Sequence, residues 1–258
     1  MGSRIGIVVI ATSSNYVNYA NKLISSIADH FQVSEEVDVL VLTDLPSKIK
    51  NPSARLNVHL VEIESLAWPY ATLLRYRLIM ESSKLLNHDY IFYMDSDLLV
   101  LQHVTIEDFL KKEERLFLVR HPGYYGRGFL NELSRRFIYP PWETNALSCA
   151  RVPWFKRKRY FAGGLWGGKS QSVLDMVSTL EKRVNVDLQN NFFARSFDES
   201  HLNWWASRQK GFKILSPEYL YANGFPGMKK IEKPKILAVQ KDSSTVLQKQ
   251  SDYLSRFD

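Results

Sequence analysis

The sequence predicts an α/β fold built on a mostly parallel sheet with helices on both faces. Three observations carry this. An apolar, β-branched run opens the chain at Arg4 to Ile10, apolar residues then recur at helical spacing, and strand-like and helical stretches keep alternating as far as Met94.

Arg4-Ile5-Gly6-Ile7-Val8-Val9-Ile10 lacks polar alternation, as expected of a strand buried on both faces. A loop of small polar residues follows, Thr12 to Asn15. Ala20, Leu23, Ile24, Ile27, Ala28 and Phe31 then form one stripe of a helix from Val17 to Phe31. Val37 to Thr43 reads as a second strand and Asn57 to Glu62 as a third. Leu74, Leu78 and Leu85 mark a face of the next helix, and Tyr90 to Met94 is a fourth strand. Ligands of such sheets bind beyond the carboxyl ends of the strands, which puts Thr12 to Tyr16 and Asp95 to Asp97 at one edge. Gly123 to Pro153, rich in Gly, Pro, Arg and aromatics, predicts a long, partly irregular excursion. A helix is expected over Ser170 to Lys182, where Val173, Leu174, Val177 and Leu180 share a face, and another starts near Glu199. The length of 258 residues suits one domain.

An apolar content of 45% with 13% aromatics excludes disordered and collagen-like classes. The longest apolar stretches, Ile5 to Ala11 and Tyr90 to Met94, fall far short of the ~20 residues that span a bilayer. Met1-Gly2-Ser3-Arg4 shows no hydrophobic signal region, so a cytoplasmic location is expected. Cys149 is the only cysteine, which excludes an intramolecular disulfide and a cysteine-based zinc cluster. The formal charge of +7 suits nucleic acid, an anionic membrane face or a phosphorylated ligand, and does not choose among them. Part of it sits in Lys156-Arg157-Lys158-Arg159, which reads as a solvated loop, and part in Lys229 to Lys241.

Asp95 and Asp97 are separated by one residue at the end of a strand, so the period of two would put both carboxylates on one face. Adjacent anions repel unless a cation joins them, and oxygen ligands suit Mg²⁺ or Mn²⁺. A turn in which the aspartates bond backbone amides is the competing reading. Gly163 to Ser170 formally matches the phosphate-cradling G-x-x-x-x-G-K-[ST] loop, although paired glycines also simply let backbones approach closely. Asp198, Glu199 and His201 crowd two carboxylates and an imidazole ahead of an apolar helix. Ser196 with Glu199 also fits a capping box, and spacing leaves cap and catalysis equally open. His121 either lines a site or is a structural hydrogen-bonding residue, and Arg75 either grips a phosphate or pairs with a surface acid.

Taken together, Val41-Leu42-Thr43-Asp44, Asp95-Ser96-Asp97, His121-Pro122-Gly123-Tyr124-Tyr125-Gly126, Ala162 to Gly168, Asp198-Glu199-Ser200-His201-Leu202-Asn203 and Leu215-Ser216-Pro217-Glu218-Tyr219-Leu220 resemble glycosyltransferase family six, the ABO blood-group and α-1,3-galactosyltransferase group. The motifs occur in the family's order over roughly residues 4 to 241.

The resemblance implies a GT-A fold, with a Rossmann-like nucleotide-binding half over about 4–120 fused to an acceptor-binding half over 121–258. It implies transfer of galactose or N-acetylgalactosamine from a UDP donor to the 3-hydroxyl of an acceptor galactose, with retention of the α configuration. Asp95 and Asp97 match the metal-binding aspartates, normally serving Mn²⁺, with Mg²⁺ as a substitute. Nucleotide contacts are implied at Ala11, Thr12, Tyr16, Arg75, Ser96 and Lys241, the last closing over the diphosphate. Donor-sugar contacts are implied at Ala162, Gly163, Gly164 and Asp198. The small Gly164 would leave room for an N-acetyl group, which favours UDP-N-acetylgalactosamine over UDP-galactose. Acceptor contacts are implied at His121, Trp166 and Glu199, and Glu199 matches the glutamate beneath the anomeric carbon. The expected partners are therefore a UDP-sugar and a galactose-terminated glycan, fucosylated or not, rather than nucleic acid; the basic surface leaves peripheral contact with an anionic membrane open. Phe197 departs from the family pattern, which usually has histidine there, and Ala222 replaces an acidic acceptor contact.

Overall fold

A computed structural model describes residues 3–31, 36–126 and 128–240, with the side chains of Phe129 and Glu132 outside the description. In chain order the elements are β1 (Arg4–Ala11), α1 (Ser13–His30), β2 (Glu36–Thr43), β3 (Leu56–Glu62), α2 (Tyr70–Leu73), α3 (Arg75–Glu81), β4 (Tyr90–Met94) and β5 (Leu98–Val100). There follow α4 (Ile106–Phe109), β6 (Leu116–Arg120), α5 (Phe129–Phe137), β7 (Phe161–Lys169), α6 (Ser170–Gln189), α7 (Phe197–Ala206), β8 (Lys213–Leu215), β9 (Tyr221–Ala222) and β10 (Ile236–Ala238).

The main sheet runs β3-β2-β1-β4-β7-β6-β8, and β5-β10-β9 form a smaller one. β1 pairs in parallel with both β2 and β4, as the alternating pattern predicts. The sheet is nevertheless mixed, because β7 runs antiparallel to β4 and to β6. β7 was not legible as a strand, since four of its nine residues are glycine, which strands usually avoid.

Helices cover both faces, and side-chain alternation sorts each strand into two cores. Ile5, Ile7, Val9 and Ala11 of β1 pack on the α1 side, whereas Val8 and Ile10 pack with α3, α6 and α7 on the other. The α1 stripe is as expected, with Leu23, Ile24 and Ile27 fully buried. The helix expected through Leu74, Leu78 and Leu85 is broken into α2, α3 and a 3-10 turn, and Leu85 is 57% exposed. Its buried face carries Leu73, Arg75, Tyr76 and Ile79 beside the expected Leu78.

The excursion from Gly123 to Pro153 contains α5 and is otherwise irregular, yet buried acids tie it down. Glu143 accepts from the amides of Thr144, Asn145 and Arg195 at 2.7 Å each. Asp187 of α6 accepts from the Ser148 hydroxyl at 2.6 Å and the Cys149 amide at 2.7 Å. Among the described residues no helix is long and apolar enough to cross a membrane.

Candidate active site

At the carboxyl ends of β1 and β4 lies a cleft of about 390 Å³, lined among others by Thr12, Tyr16, Arg75, Asp95, Ser96 and Asp97. The sheet therefore brings together the two segments expected at one edge. Asp44 holds the far wall, its carboxylate accepting from the Ser13 amide at 2.9 Å where α1 begins. Strand alternation turns Ile10 and Thr12 to the cleft and Ala11 away from it. Ala11 is completely buried and lies beneath the cleft, so its side chain is not one of the nucleotide contacts implied by the resemblance.

Asp95 and Asp97 do not owe their proximity to strand periodicity. The chain leaves β4 at Met94, and the Leu98 amide donates to the Asp95 carbonyl at 3.1 Å, closing a turn through Asp95-Ser96-Asp97. Asp95 Oδ1 accepts from the Tyr93 hydroxyl at 2.8 Å and lies 3.2 Å from Arg75 Nη2. Its side chain stays 33% exposed to the cleft.

Arg75 is the centre of the arrangement. It is 6% exposed, stacks over the Tyr93 ring at 4.6 Å, and donates from Nη1 to the Gly163 carbonyl at 2.7 Å. Its Nε lies 3.1 Å from Asp198 Oδ2, close enough for an ion pair, yet neither atom is in hydrogen-bond geometry with any partner. Burial opposes the guanidinium charge, but Asp198, Tyr93 and Asp95 together hold its proton more firmly than usual. The surface ion pair offered as an alternative for Arg75 is thus ruled out by its burial.

The Gly163 peptide joins both halves of this site. Its carbonyl takes Arg75, and its amide donates to Glu199 Oε2 at 2.8 Å. Glu199 is therefore not a capping residue: its carboxylate faces β7, and the Ser196 side chain makes no cap. What turns the start of α7 is Phe197, held at φ +48, a left-handed conformation that side chains rarely adopt. Strain of this kind is stored where surrounding structure over-determines it. Here the Trp68 ring packs edge-on to Phe197 at 5.1 Å, tying the cleft wall to the helix that carries Asp198 and Glu199.

Burial raises the Asp198 carboxyl to about 7; Arg75 opposes the shift, and the neighbouring anions Asp95 and Glu199 add to it. Burial likewise lifts Glu199 to about 7, opposed by the Gly163 amide, Tyr160 and Arg75. On the other side of Glu199 stands His121, whose Nδ1 accepts from the Gly123 amide at 3.0 Å. That bond leaves the proton on Nε2, 4.0 Å from Glu199 Oε1. Burial and the nearby Arg135 lower His121 to about 4, so the ring is neutral at physiological pH.

Several expectations need correction. Trp166 offers no surface to an acceptor: it is fully buried, stacks on Tyr93 at 5.0 Å and donates to the Gly163 carbonyl at 3.1 Å. Ala162, 3% exposed, packs into the α1-side core rather than into an open sugar pocket. The space over Gly164 is not vacant either, because a Cβ there would sit 2.7 Å from Asp95 Oδ2. The glycine serves the close approach of Asp95. Gly163 to Ser170 is no phosphate cradle but antiparallel strand and helix start; Lys169 pairs with Tyr90 at the opposite end of the sheet and donates to the Lys112 carbonyl. Lys241 lies outside the described residues.

Sequence reasoning missed two positioning residues. Tyr93 holds Asp95 and underlies Arg75, and only its place two residues before Asp95, near the end of β4, hinted at it. Asn203 accepts from the Phe161 amide and donates to the Phe161 carbonyl, both at 2.8 Å, and also donates to the Glu199 carbonyl at 2.9 Å. It thereby fixes α7 against β7, so that Glu199 meets Gly163. The other polar residues of that motif are also committed: Ser200 Oγ accepts from the Ser196 amide, and His201 Nε2 lies 3.4 Å from Asp187.

Residues 2–248 match the profile of Glycosyltransferase family 6. The chain is 28% identical to Histo-blood group ABO system transferase 2 of Rattus norvegicus over 94% of its own length and 71% of that protein. It is 29% identical to O-antigen biosynthesis glycosyltransferase WbnI of Escherichia coli over 59% of its length and 62% of that protein. To Globoside alpha-1,3-N-acetylgalactosaminyltransferase 1 of Gallus gallus it is 26% identical, over 86% of its length and 63% of that protein. With a family match over nearly the whole chain and a seven-stranded mixed sheet of GT-A type, the protein belongs to glycosyltransferase family 6 and is a glycosyltransferase.

Proposed function

We propose that the protein transfers N-acetylgalactosamine, in preference to galactose, from a UDP donor to the 3-hydroxyl of a galactose-terminated glycan, retaining the α configuration. The observation that carries this reading is the Glu199 carboxylate, oriented by the amide of Gly163, whose carbonyl takes Arg75 of the cleft, and facing His121. The preference for N-acetylgalactosamine rests on the name of the chicken relative, since the room expected over Gly164 is taken by Asp95.

In this reading the half up to about residue 120 binds the nucleotide and the remainder the acceptor. Uracil lies against Tyr16, and the diphosphate lies at the Asp95-Ser96-Asp97 turn. Asp95 and Asp97 both line the cleft, and carboxylates are hard oxygen donors suited to Mn²⁺ or Mg²⁺. Among the described residues no third acidic, histidine or cysteine side chain joins them, so a bound ion would draw its remaining ligands from the donor and from water. Bound there by Asp95 and Asp97, the ion would stabilise negative charge on the departing diphosphate. Arg75 orients Asp95 and adds positive charge at the sugar end of the cleft. Glu199, as an anion, meets the positive charge that develops at the anomeric carbon, and a group acting in this way stabilises the transition state more than the bound substrate. Neutral His121 presents Nε2–H to the acceptor.

The test is UDP release with Mn²⁺ from UDP-N-acetylgalactosamine and UDP-galactose, over galactose-terminated acceptors with and without fucose. Turnover should need donor, acceptor and metal together. Full activity in EDTA would remove Asp95 and Asp97 from the metal role. Glu199→Gln should lower turnover by about three orders of magnitude with UDP affinity nearly unchanged. A variant keeping more than about a tenth of the activity would remove Glu199 from the mechanism.

A further inference from the structure

Away from the cleft, the basic run at 156–159 is not a simple solvated loop. It lines a groove of about 940 Å³ whose wall carries Arg120, Arg136, Lys156, Lys158, Arg159 and Lys210, with no carboxylate among its lining residues. The adjoining helix α5 is turned inside out. It faces the protein through Arg135, which donates to the Gly123 carbonyl at 2.9 Å and stacks over Tyr124 at 4.6 Å. Its apolar stripe, Leu130, Leu133 and Phe137 at spacings of three and four, points to solvent and is 78%, 42% and 53% exposed. Helices of soluble domains normally bury that stripe.

The apolar surface continues from the helix to the groove. Phe137 packs on Trp154 at 5.9 Å and Trp154 on Phe155 at 5.8 Å, each of these last two 61% exposed, and Phe155 also lines the groove. Arg157 fastens the two segments together, donating to the carbonyls of Val152 and Arg136 at 2.9 Å each.

We propose that α5, the exposed Trp154-Phe155 pair and the basic groove form a docking surface for an anionic phospholipid bilayer. Lysine and arginine attract lipid phosphates, while exposed aromatic and aliphatic side chains enter the headgroup boundary; interfacial helices combine both features. The aliphatic residues select this occupant over nucleic acid, on which leucines have no partner. The charge selects it over a second copy of the chain, because a two-fold contact would set one cationic groove against another. Arg120 of the groove precedes His121, and Phe161 of the groove precedes Ala162-Gly163. Docking therefore sets the membrane beside the chain segments that carry His121 and Gly163. On the transferase reading, this favours an acceptor glycan carried on a lipid.

The experiment is co-sedimentation of the full chain with phosphatidylcholine vesicles, and with vesicles in which about a third of the lipid is phosphatidylglycerol. Binding is read directly, so it stands or falls independently of turnover. The protein should pellet only with the anionic vesicles and detach as salt is raised. Lys156→Glu with Lys158→Glu should weaken partitioning by about tenfold or more. Leu130→Ser with Trp154→Ser should weaken it as well, with melting temperatures little changed because Leu130, Trp154 and Lys158 are exposed and Lys156 is half-exposed. No binding, or equal binding to neutral vesicles, would overturn the proposal. So would tight binding of a single-stranded RNA that the lysine variant loses and the apolar variant keeps, or a dimer that Leu130→Ser dissolves.

Discussion

Asp95 and Asp198 approach different nitrogens of the same guanidinium, Nη2 and Nε, yet the first keeps 33% of its side chain in solvent and the second only 2%. On the open side, the charge is shared between Tyr93, Arg75 and the cleft, and a ligand can take over part of it. On the buried side, Asp198 depends on Arg75 and on its own protonation, because burial has raised it to about 7. A site built this way holds Asp198 under tension while leaving Asp95 available for exchange.

The strongest way to break the comparison is to remove the shared cation. Arg75→Met should destabilise the fold by about 3–5 kcal/mol at neutral pH, the usual consequence of leaving a buried charge without its partner. The loss should shrink as pH falls from about 7 to 5 and Asp198 takes up a proton. Thermal melts at both pH values check this, and an equal loss at each would mean that Asp198 does not depend on Arg75.

A smaller effect sharpens the open side. Gly164→Ala would place a methyl carbon against the Asp95 carboxylate and should lower stability by only about 1–2 kcal/mol, because Asp95 can swing towards solvent. UDP affinity measured by calorimetry should fall with it. An unchanged affinity would show that the position of Asp95 over Gly164 is immaterial to the nucleotide.

A separate effect, read only against pH, belongs to the buried side. A carboxyl raised from 3.8 to about 7 on folding contributes stability fully below its unfolded value, and loses it as pH rises through the folded one. Relative to Asp198→Asn, the wild type should therefore lose stability between about pH 4 and pH 7. Parallel melting profiles across that window would contradict the burial assigned to Asp198.

Much of the outer site was legible in the sequence, because its determinants are local. Strand and helix periodicity located β1, α1, β2 and β4, and the carboxyl-end rule for such sheets put Thr12, Tyr16 and Asp95 to Asp97 at one edge. The motifs from Asp95 to Asn203 in their order pointed to the family that the whole-chain match establishes. The sequence alone thus determined the fold class, the family and the roster of polar residues, since these follow from side-chain periodicity and short motifs.

The tertiary structure decided what those residues do to one another. The direction of β7 depends on its pairing with β4 and β6, and a glycine-rich strand carries no apolar alternation to announce it. That pairing makes Gly163 the junction between Arg75 and Glu199, closes the space over Gly164 with Asp95, and buries Trp166 beneath Arg75's stacking partner. Glu199 fitted a cap and an active-site acid equally well by spacing. The choice came from a hydrogen bond to a residue 36 positions away, a contact that only the folded chain can bring about.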